Sequence, residues 1–203
     1  MSDEGAEVVT IGELLARIRA SYVETFACRL ADASRGGGER VIPEVAVCQA
    51  NGEIALVGSL GLPRRVDACV FADDAPARTL RFDSEKLLSF ESLSLVWGDG
   101  LKVDLHPFTW DACALRFASP GRADLGPLLA WFRRWFDEGD ERGLTNEFPG
   151  GVVHSISGPA EEGEAWLVVV DLGSARLKAF EELLDAVAAV GAARVVVGHP
   201  PPA

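Results

Sequence analysis

The sequence predicts an α+β protein in which an N-terminal helix and an antiparallel β-rich lobe are followed by a βαββαβ unit. Three observations support this fold class. Apolar residues recur at helical spacing near the N-terminus, two glycine-containing turns separate alternating strands in the middle, and strand and helix patterns alternate after residue 110. At 203 residues, the chain favours one compact body with lobes at 1–109 and 110–203.

The first predicted element is a helix over residues 11–33. Thr10 and Glu13 have the spacing of a capping box, in which each side chain binds a free backbone amide at the helix start. The apolar residues that follow lie three or four positions apart and form one stripe. They are Ile11, Leu14, Leu15, Ile18, Tyr22, Phe26 and Leu30.

A first hairpin is predicted from two strands that flank Asn51-Gly52. This dipeptide favours a two-residue turn in which both residues adopt positive φ. The resulting register sets Val47 opposite Leu56. Further strands are predicted at 66–71 and 78–82.

A second hairpin is predicted around the loop at 98–100. With a three-residue loop, Leu93 lies opposite Leu105, and the apolar side chains of both strands share one face. A two-residue loop would divide these side chains between the two faces. The longer loop also places Gly100 at a bulge position that requires a left-handed backbone.

The second half of the chain contains alternating strands and helices. The predicted elements are a strand at 112–118, a helix at 125–138, a hairpin of 152–157 with 164–171, a helix over 174–190 and a strand at 194–197. This βαββαβ order resembles the ferredoxin-like arrangement, an antiparallel sheet with two helices on one face. Because that arrangement serves many functions, the resemblance predicts architecture and no activity.

The chain is strongly acidic, with 31 acidic and 19 basic residues and a net charge of −12. Of these, 16 acidic and 10 basic residues lie in the first 100 positions, so each half carries −6. Phosphate backbones and anionic membranes both require clustered Lys and Arg. We therefore expect neither nucleic acid nor a membrane surface as a partner.

Cysteine usage and the N-terminus both favour a cytoplasmic protein. The first residues lack a secretory signal, and no apolar run approaches the length of a membrane span. The four cysteines are widely spaced, without the CxxC pairs of metal sites, and are expected to be reduced core residues. The small number of lysines is typical of a GC-rich, bacterial genome.

The first candidate site lies on the polar face of the second hairpin. In the predicted register Ser92 lies opposite His106, and Asp104 precedes His106 by two residues on the same face. These are the three side chains of a hydrolytic triad. The alternative is an ordinary solvent-facing sheet, since side chains two residues apart on a strand are ~6.5 Å apart and no nucleophile-elbow motif is present.

A second polar candidate pairs His154 with Asp171. Strand alternation places His154 on an apolar face with Val152 and Ile156, and Asp171 on the opposite face. This arrangement favours a buried structural histidine over a functional pair.

The sequence predicts no metal and no cofactor. The three histidines lack H-x-x-H or H-E-x-x-H spacing, and the acidic stretch at 137–143 lacks the bidentate acid of a calcium loop. The turn at 171–174 has neither a glycine-rich loop nor a lysine for holding phosphate.

The helix at 125–138 carries two apolar stripes, although one is enough to pack a helix on a sheet. The second stripe consists of Leu128, Trp131 and Trp135. It packs either within the chain or at an interface with a protein partner or another copy, where Trp is favoured.

Together these features predict a non-enzymatic interaction or regulatory protein with an acidic surface. One alternative is a hydrolase that uses Ser92, Asp104 and His106. The other is a protein that binds a small molecule between its two lobes. The sequence identifies no reaction.

Overall fold

The computed structural model describes residues 10–35, 39–58, 60–72, 75–118, 124–138, 149–162 and 165–201, and it confirms a mixed α+β protein. Its helices are α1 (Ile11–Ser34), α2 (Gly126–Phe136) and α3 (Leu177–Ala189). Its strands are β1 (Arg40–Pro43), β2 (Leu56–Val57), β3 (Leu62–Pro63), β4 (Ala68–Ala72), β5 (Ala75–Leu80), β6 (Leu93–Trp97), β7 (Leu101–Leu105), β8 (Cys113–Phe117), β9 (Ser155–Glu162), β10 (Ala165–Asp171) and β11 (Arg194–Gly198). Within this described part, no helix is both long and apolar enough to cross a bilayer.

The largest sheet has six strands in the order β6-β7-β11-β8-β10-β9. Neighbouring strands are antiparallel except for β7 and β11, which are parallel. Strand side chains point to the two faces in turn, and one face joins α2 and α3 in a single hydrophobic core. A smaller sheet, β1-β4-β5, lies in the N-terminal part of the chain.

The hairpin of β6 and β7 extends the six-stranded sheet at one edge. β7 pairs with β11 from Lys102↔Arg194 to Leu105↔Val197. The boundary predicted between residues 109 and 110 would therefore separate two strands that lie side by side. The division into lobes stays a prediction.

The register predicted for the second hairpin is confirmed. Leu93 lies opposite Leu105 and Trp97 opposite Leu101, which leaves a three-residue loop. Gly100 adopts a φ of 129°, a value that an L side chain rarely tolerates. The side chains of Leu101, Val103 and Leu105 are buried, as the apolar pattern predicts.

The register predicted for the first hairpin is wrong by one residue. Cys48 forms a bridge with Ile54, so the loop contains three residues rather than two. Only Gly52 has positive φ, while the Asn51 side-chain oxygen accepts a hydrogen bond from Glu53 N at 3.0 Å. Asn51 thus stabilises the turn through its side chain and does not need the left-handed conformation of a two-residue turn.

Helix α1 forms hydrogen bonds both to the segment just before α3 and to Asp67, which precedes β4. The predicted capping box between Thr10 and Glu13 is present. Arg19 donates hydrogen bonds to the carbonyls of Ser174 (2.9 Å) and Ala175 (2.7 Å), which lie just before α3. Tyr22, one turn later, is buried and donates to Asp67 Oδ1 at 3.1 Å.

The second apolar stripe of α2 packs within the chain. Leu128, Trp131 and Trp135 are all buried. The indole of Trp131 donates to the carbonyl of Ala179 at 2.9 Å, and that of Trp135 to Glu182 Oε2 at 3.0 Å, so both rings rest on α3. The interface predicted for these three residues stays a prediction.

Candidate functional site

The structure brings together only two of the three residues predicted for the hydrolytic site. Ser92 Oγ lies 2.6 Å from His106 Nδ1. Asp104 instead accepts hydrogen bonds from Ser94 Oγ and Arg194 Nε. A triad requires a carboxylate to orient the histidine, and Asp104 is held by other donors. The catalytic role of these residues stays a prediction.

His154 and Asp171 lie close together, contrary to the expectation from strand alternation. His154 precedes the first residue of β9, so the alternation of that strand does not set the direction of its side chain. Its backbone N–H donates to Asp171 O at 2.9 Å, and its Nδ1 lies 3.8 Å from Asp171 Oδ2. The imidazole is only 1% exposed.

Two further carboxylates that the sequence analysis missed complete this cluster. Glu44 Oε1 lies 3.0 Å from His154 Nε2, and Asp67 Oδ1 lies 3.2 Å from His154 Nδ1. Both carboxylates are buried. One imidazole is therefore surrounded by three carboxylates, which come from the end of β1, the start of β4 and the end of β10.

Arg65 fixes the backbone around this cluster. Its buried guanidinium donates to the carbonyls of Glu44 (2.6 Å), Phe136 (2.9 Å) and Asp137 (2.8 Å). Glu44 and Asp137 have φ values of 54° and 58°, a left-handed conformation that costs ~1–3 kcal/mol outside glycine. Such strain persists only where the surrounding structure holds it in place, and it is found most often at functional sites.

Three of the clustered side chains each have one polar atom already held by another group. His154 Nε2 faces Glu44, Asp67 Oδ2 accepts from Phe82 N at 2.6 Å, and Asp171 Oδ1 accepts from Gly173 N at 3.0 Å. One ligand atom from each of His154, Asp67 and Asp171 lies within 4.8 Å of the other two. His154 Nδ1 is 3.2 Å from Asp67 Oδ1, which also accepts a hydrogen bond from Tyr22, and 3.8 Å from Asp171 Oδ2. His154 Nδ1 is buried and makes no hydrogen bond of good geometry within the described residues, although Asp67 Oδ1 lies 3.2 Å away.

A polar cleft of about 240 Å³ opens beside these atoms. It lies between the N-terminal part of the chain and the large sheet, and it is lined by Arg64, Asp67, Thr79, Arg81, Ser155 and Asp171, among others. Asp171 has an 18% exposed side chain, so it connects the buried cluster to the cleft.

No protein-family model, curated protein or solved structure matches this chain.

Burial and the close spacing of the charged groups shift the pKa values of the residues in this cluster. Burial lowers the pKa of His154, but the carboxylates of Asp171, Asp67 and Glu44 outweigh this and raise it to about 10. Burial raises the pKa of Asp171 to about 6, despite the opposing effect of His154. Burial also raises the pKa of Glu44, but hydrogen bonds from His154, Ser174 and Gly150 bring it below its usual value. The cluster thus holds more negative charge than one imidazolium can balance.

These shifts predict that the protein loses stability as the pH rises. A raised pKa means that the folded protein keeps a proton over a range in which the unfolded chain has lost it, so stability falls through that range. The range runs from 3.8 to about 6 for Asp171 and from 6.5 to about 10 for His154. Urea unfolding over this pH range should show both declines. The upper one should disappear in His154→Gln and persist in His106→Gln; a flat profile would contradict the assignment.

The sequence contained one weak sign of this cluster. Asp67 is the only charged residue in the otherwise apolar run from Val66 to Phe71. A charge in a predicted buried strand needs a partner. Nothing comparable marks Glu44.

Proposed function

We propose that this protein binds one divalent transition-metal ion and uses it to hold a small ligand in the cleft between its two parts. The ion would be bound by His154 Nδ1, Asp67 Oδ1 and Asp171 Oδ2. The observation that carries this proposal is the convergence of a carboxylate oxygen of Asp67 and one of Asp171 on His154 Nδ1, a buried nitrogen without a hydrogen bond of good geometry. It develops the alternative of small-molecule binding between lobes.

The distances suit an ion of this size. Bonds from zinc to imidazole nitrogen and carboxylate oxygen are ~2.0–2.2 Å long, so two ligands at a tetrahedral angle are ~3.4 Å apart. His154 Nδ1 is 3.2 Å from the Asp67 oxygen and 3.8 Å from the Asp171 oxygen. Small side-chain adjustments therefore bring all three donors into bonding range.

The surrounding hydrogen bonds also match those of a metal site. A histidine that binds metal usually presents its other nitrogen to a carboxylate, which sets the tautomer and the ring orientation. Glu44 occupies that position on His154 Nε2. Tyr22 donates to Asp67 Oδ1, and Gly173 N donates to Asp171. These contacts orient the ligands before any ion arrives.

The donor set favours zinc or manganese over calcium and magnesium. One imidazole suits transition metals, whereas the two carboxylates suit harder ions, so the mixed set selects ions that accept both. Three protein ligands leave at least one coordination position for a water or a ligand, as in catalytic zinc sites. That position would face the cleft that Asp171 borders.

Metal binding should be lost in Asp171→Asn without loss of folding. The substitution removes an anionic ligand, and it also removes a buried charge that is costly in the metal-free state. We expect zinc affinity to fall by more than the ~10–100-fold that is typical when a residue hydrogen-bonded to a metal ligand is replaced, while the free energy of unfolding without metal stays the same or rises. Equilibrium dialysis with metal analysis, together with urea unfolding, measures both quantities.

The matched control for this experiment is Asp104→Asn. Asp104 has a 15% exposed side chain, close to the 18% of Asp171, and lies in the large sheet outside the cluster. This variant and His106→Gln should both retain one zinc per chain. Equal zinc binding by the wild type and Asp171→Asn, or no zinc binding by the wild type, would contradict the proposal.

Two other predicted functions are independent of the metal-site proposal. An interaction role for the acidic surface and a hydrolase built on Ser92, Asp104 and His106 stay predictions. We also propose that β8 to β11 with α2 and α3 form a ferredoxin-like unit. The strand order β11-β8-β10-β9, with every neighbouring pair antiparallel, supports this.

A further inference from the structure

We infer that the ligand of this site is a small oxyanion, a carboxylate or phosphate group, that binds the metal ion and the guanidinium of Arg64 together. This inference rests on the proposed metal site. The cationic and polar side chains of the cleft walls support this inference. It also predicts that anion binding depends on the metal ion, which the metal site by itself does not predict.

The walls of the cleft are cationic and polar above an acidic floor. Arg64 and Arg81 are both exposed, and Thr79 and Ser155 add hydroxyl groups. Arg81 forms an exposed ion pair with Asp83 at 3.1 Å. Arg64 has no ion-pair partner among the residues that the structure describes. A planar guanidinium of this kind binds carboxylate or phosphate through paired hydrogen bonds.

The size of the cleft limits the ligand. Its volume of about 240 Å³ lies below the ~300–1,000 Å³ of pockets that hold drug-sized molecules. A phosphate or a short dicarboxylate therefore suits the cleft better than a nucleotide does. The polar lining argues against an apolar ligand for the same space.

Oxyanion binding at this site should depend on the metal. Without an ion, the carboxylates of Asp67 and Asp171 occupy the floor of the cleft and repel an anion. A divalent ion reverses that local charge and offers its open coordination position to the anion. The metal and the oxyanion should consequently bind with positive coupling.

Cobalt-loaded protein can report this coupling directly, because the visible spectrum of Co²⁺ changes with its ligands. We would titrate the full chain, loaded with Co²⁺, with inorganic phosphate in one series and malonate in another. A spectral change with either anion is expected, and the stronger of the two identifies the preferred class. Arg64→Ala should weaken that binding by about 10-fold or more, which corresponds to the loss of a charge-assisted hydrogen bond, and should still bind one Co²⁺ per chain in the absence of the anion.

Arg133→Ala is the matched control, since Arg133 is an exposed arginine on α2 away from the cleft lining. It should bind both cobalt and the anion as the wild type does. If Co²⁺ binds and neither anion alters its spectrum, or if Arg64→Ala and Arg133→Ala bind the anion equally well, the oxyanion inference is overturned while the metal site stands. If Co²⁺ does not bind, both proposals fail. Equal phosphate binding by metal-free protein would also overturn the inference.

Discussion

Replacing Gly173 with alanine is expected to destabilise the protein and to abolish metal binding. Gly173 has a φ of 51°, and a Cβ at this position would lie 2.3 Å from His154 Cδ2 and 2.7 Å from Val152 O. The backbone carbonyl cannot move away as a flexible side chain could. The imidazole would have to shift, which separates Nδ1 from the two aspartates. Urea unfolding and zinc dialysis on the same preparation measure both effects.

Gly98 provides the control for this prediction. Its φ of 50° matches that of Gly173, but a Cβ there would have no atom within 4 Å. Gly98→Ala should therefore show only the ~1–2 kcal/mol cost of a left-handed L-residue and full zinc binding. Gly173→Ala should lose at least about 1–3 kcal/mol more from overpacking. Equal losses in the two variants would show that the contact with His154 is unimportant.

Replacing His154 with glutamine should destabilise the metal-free protein by about 3–5 kcal/mol at neutral pH. Removal of one member of a buried ion pair leaves the others without compensation, and here Glu44, Asp67 and Asp171 all face the lost imidazolium. Unfolding by urea at pH 7 gives the magnitude. His106→Gln, which removes an exposed histidine, should change stability by less than about 0.5 kcal/mol.

A double-mutant cycle separates charge repulsion from lost packing in that result. If repulsion dominates, adding Asp171→Asn to His154→Gln should recover part of the loss, with a coupling of about 0.5–3 kcal/mol. If only packing matters, the two effects should add. Additive effects would contradict the view that excess negative charge defines this cluster.

Elements with strong local patterns were predictable. The capping box and the apolar stripe of α1 and the register of the second hairpin are all confirmed. In each of them the residues that interact lie within a few positions of one another or across one loop. The first hairpin shows the limit of this reasoning, because the hydrogen bond of the Asn51 side chain competes with the two-residue turn that the same dipeptide favours.

The four residues of the buried cluster could not be grouped from the sequence. Glu44 and His154 are 110 positions apart, and their contact depends on how the N-terminal part of the chain packs on the large sheet. Strand alternation even misdirected His154, because the rule applies inside a strand and His154 lies just before β9. In the sequence these carboxylates cannot be told apart from solvated surface residues. They become unusual only when folding buries them away from water.

The sequence by itself thus determined the α+β class, the cap and buried stripe of α1, and the pairing of β6 with β7, because periodicity decides which face of an element avoids water. The tertiary structure decided the position of the second tryptophan stripe and the gathering of Glu44, Asp67, His154 and Asp171 around one cleft. The physical reason is that chain segments distant in sequence meet only when their apolar faces pack, and the polar groups at their ends are then placed together without any local signal.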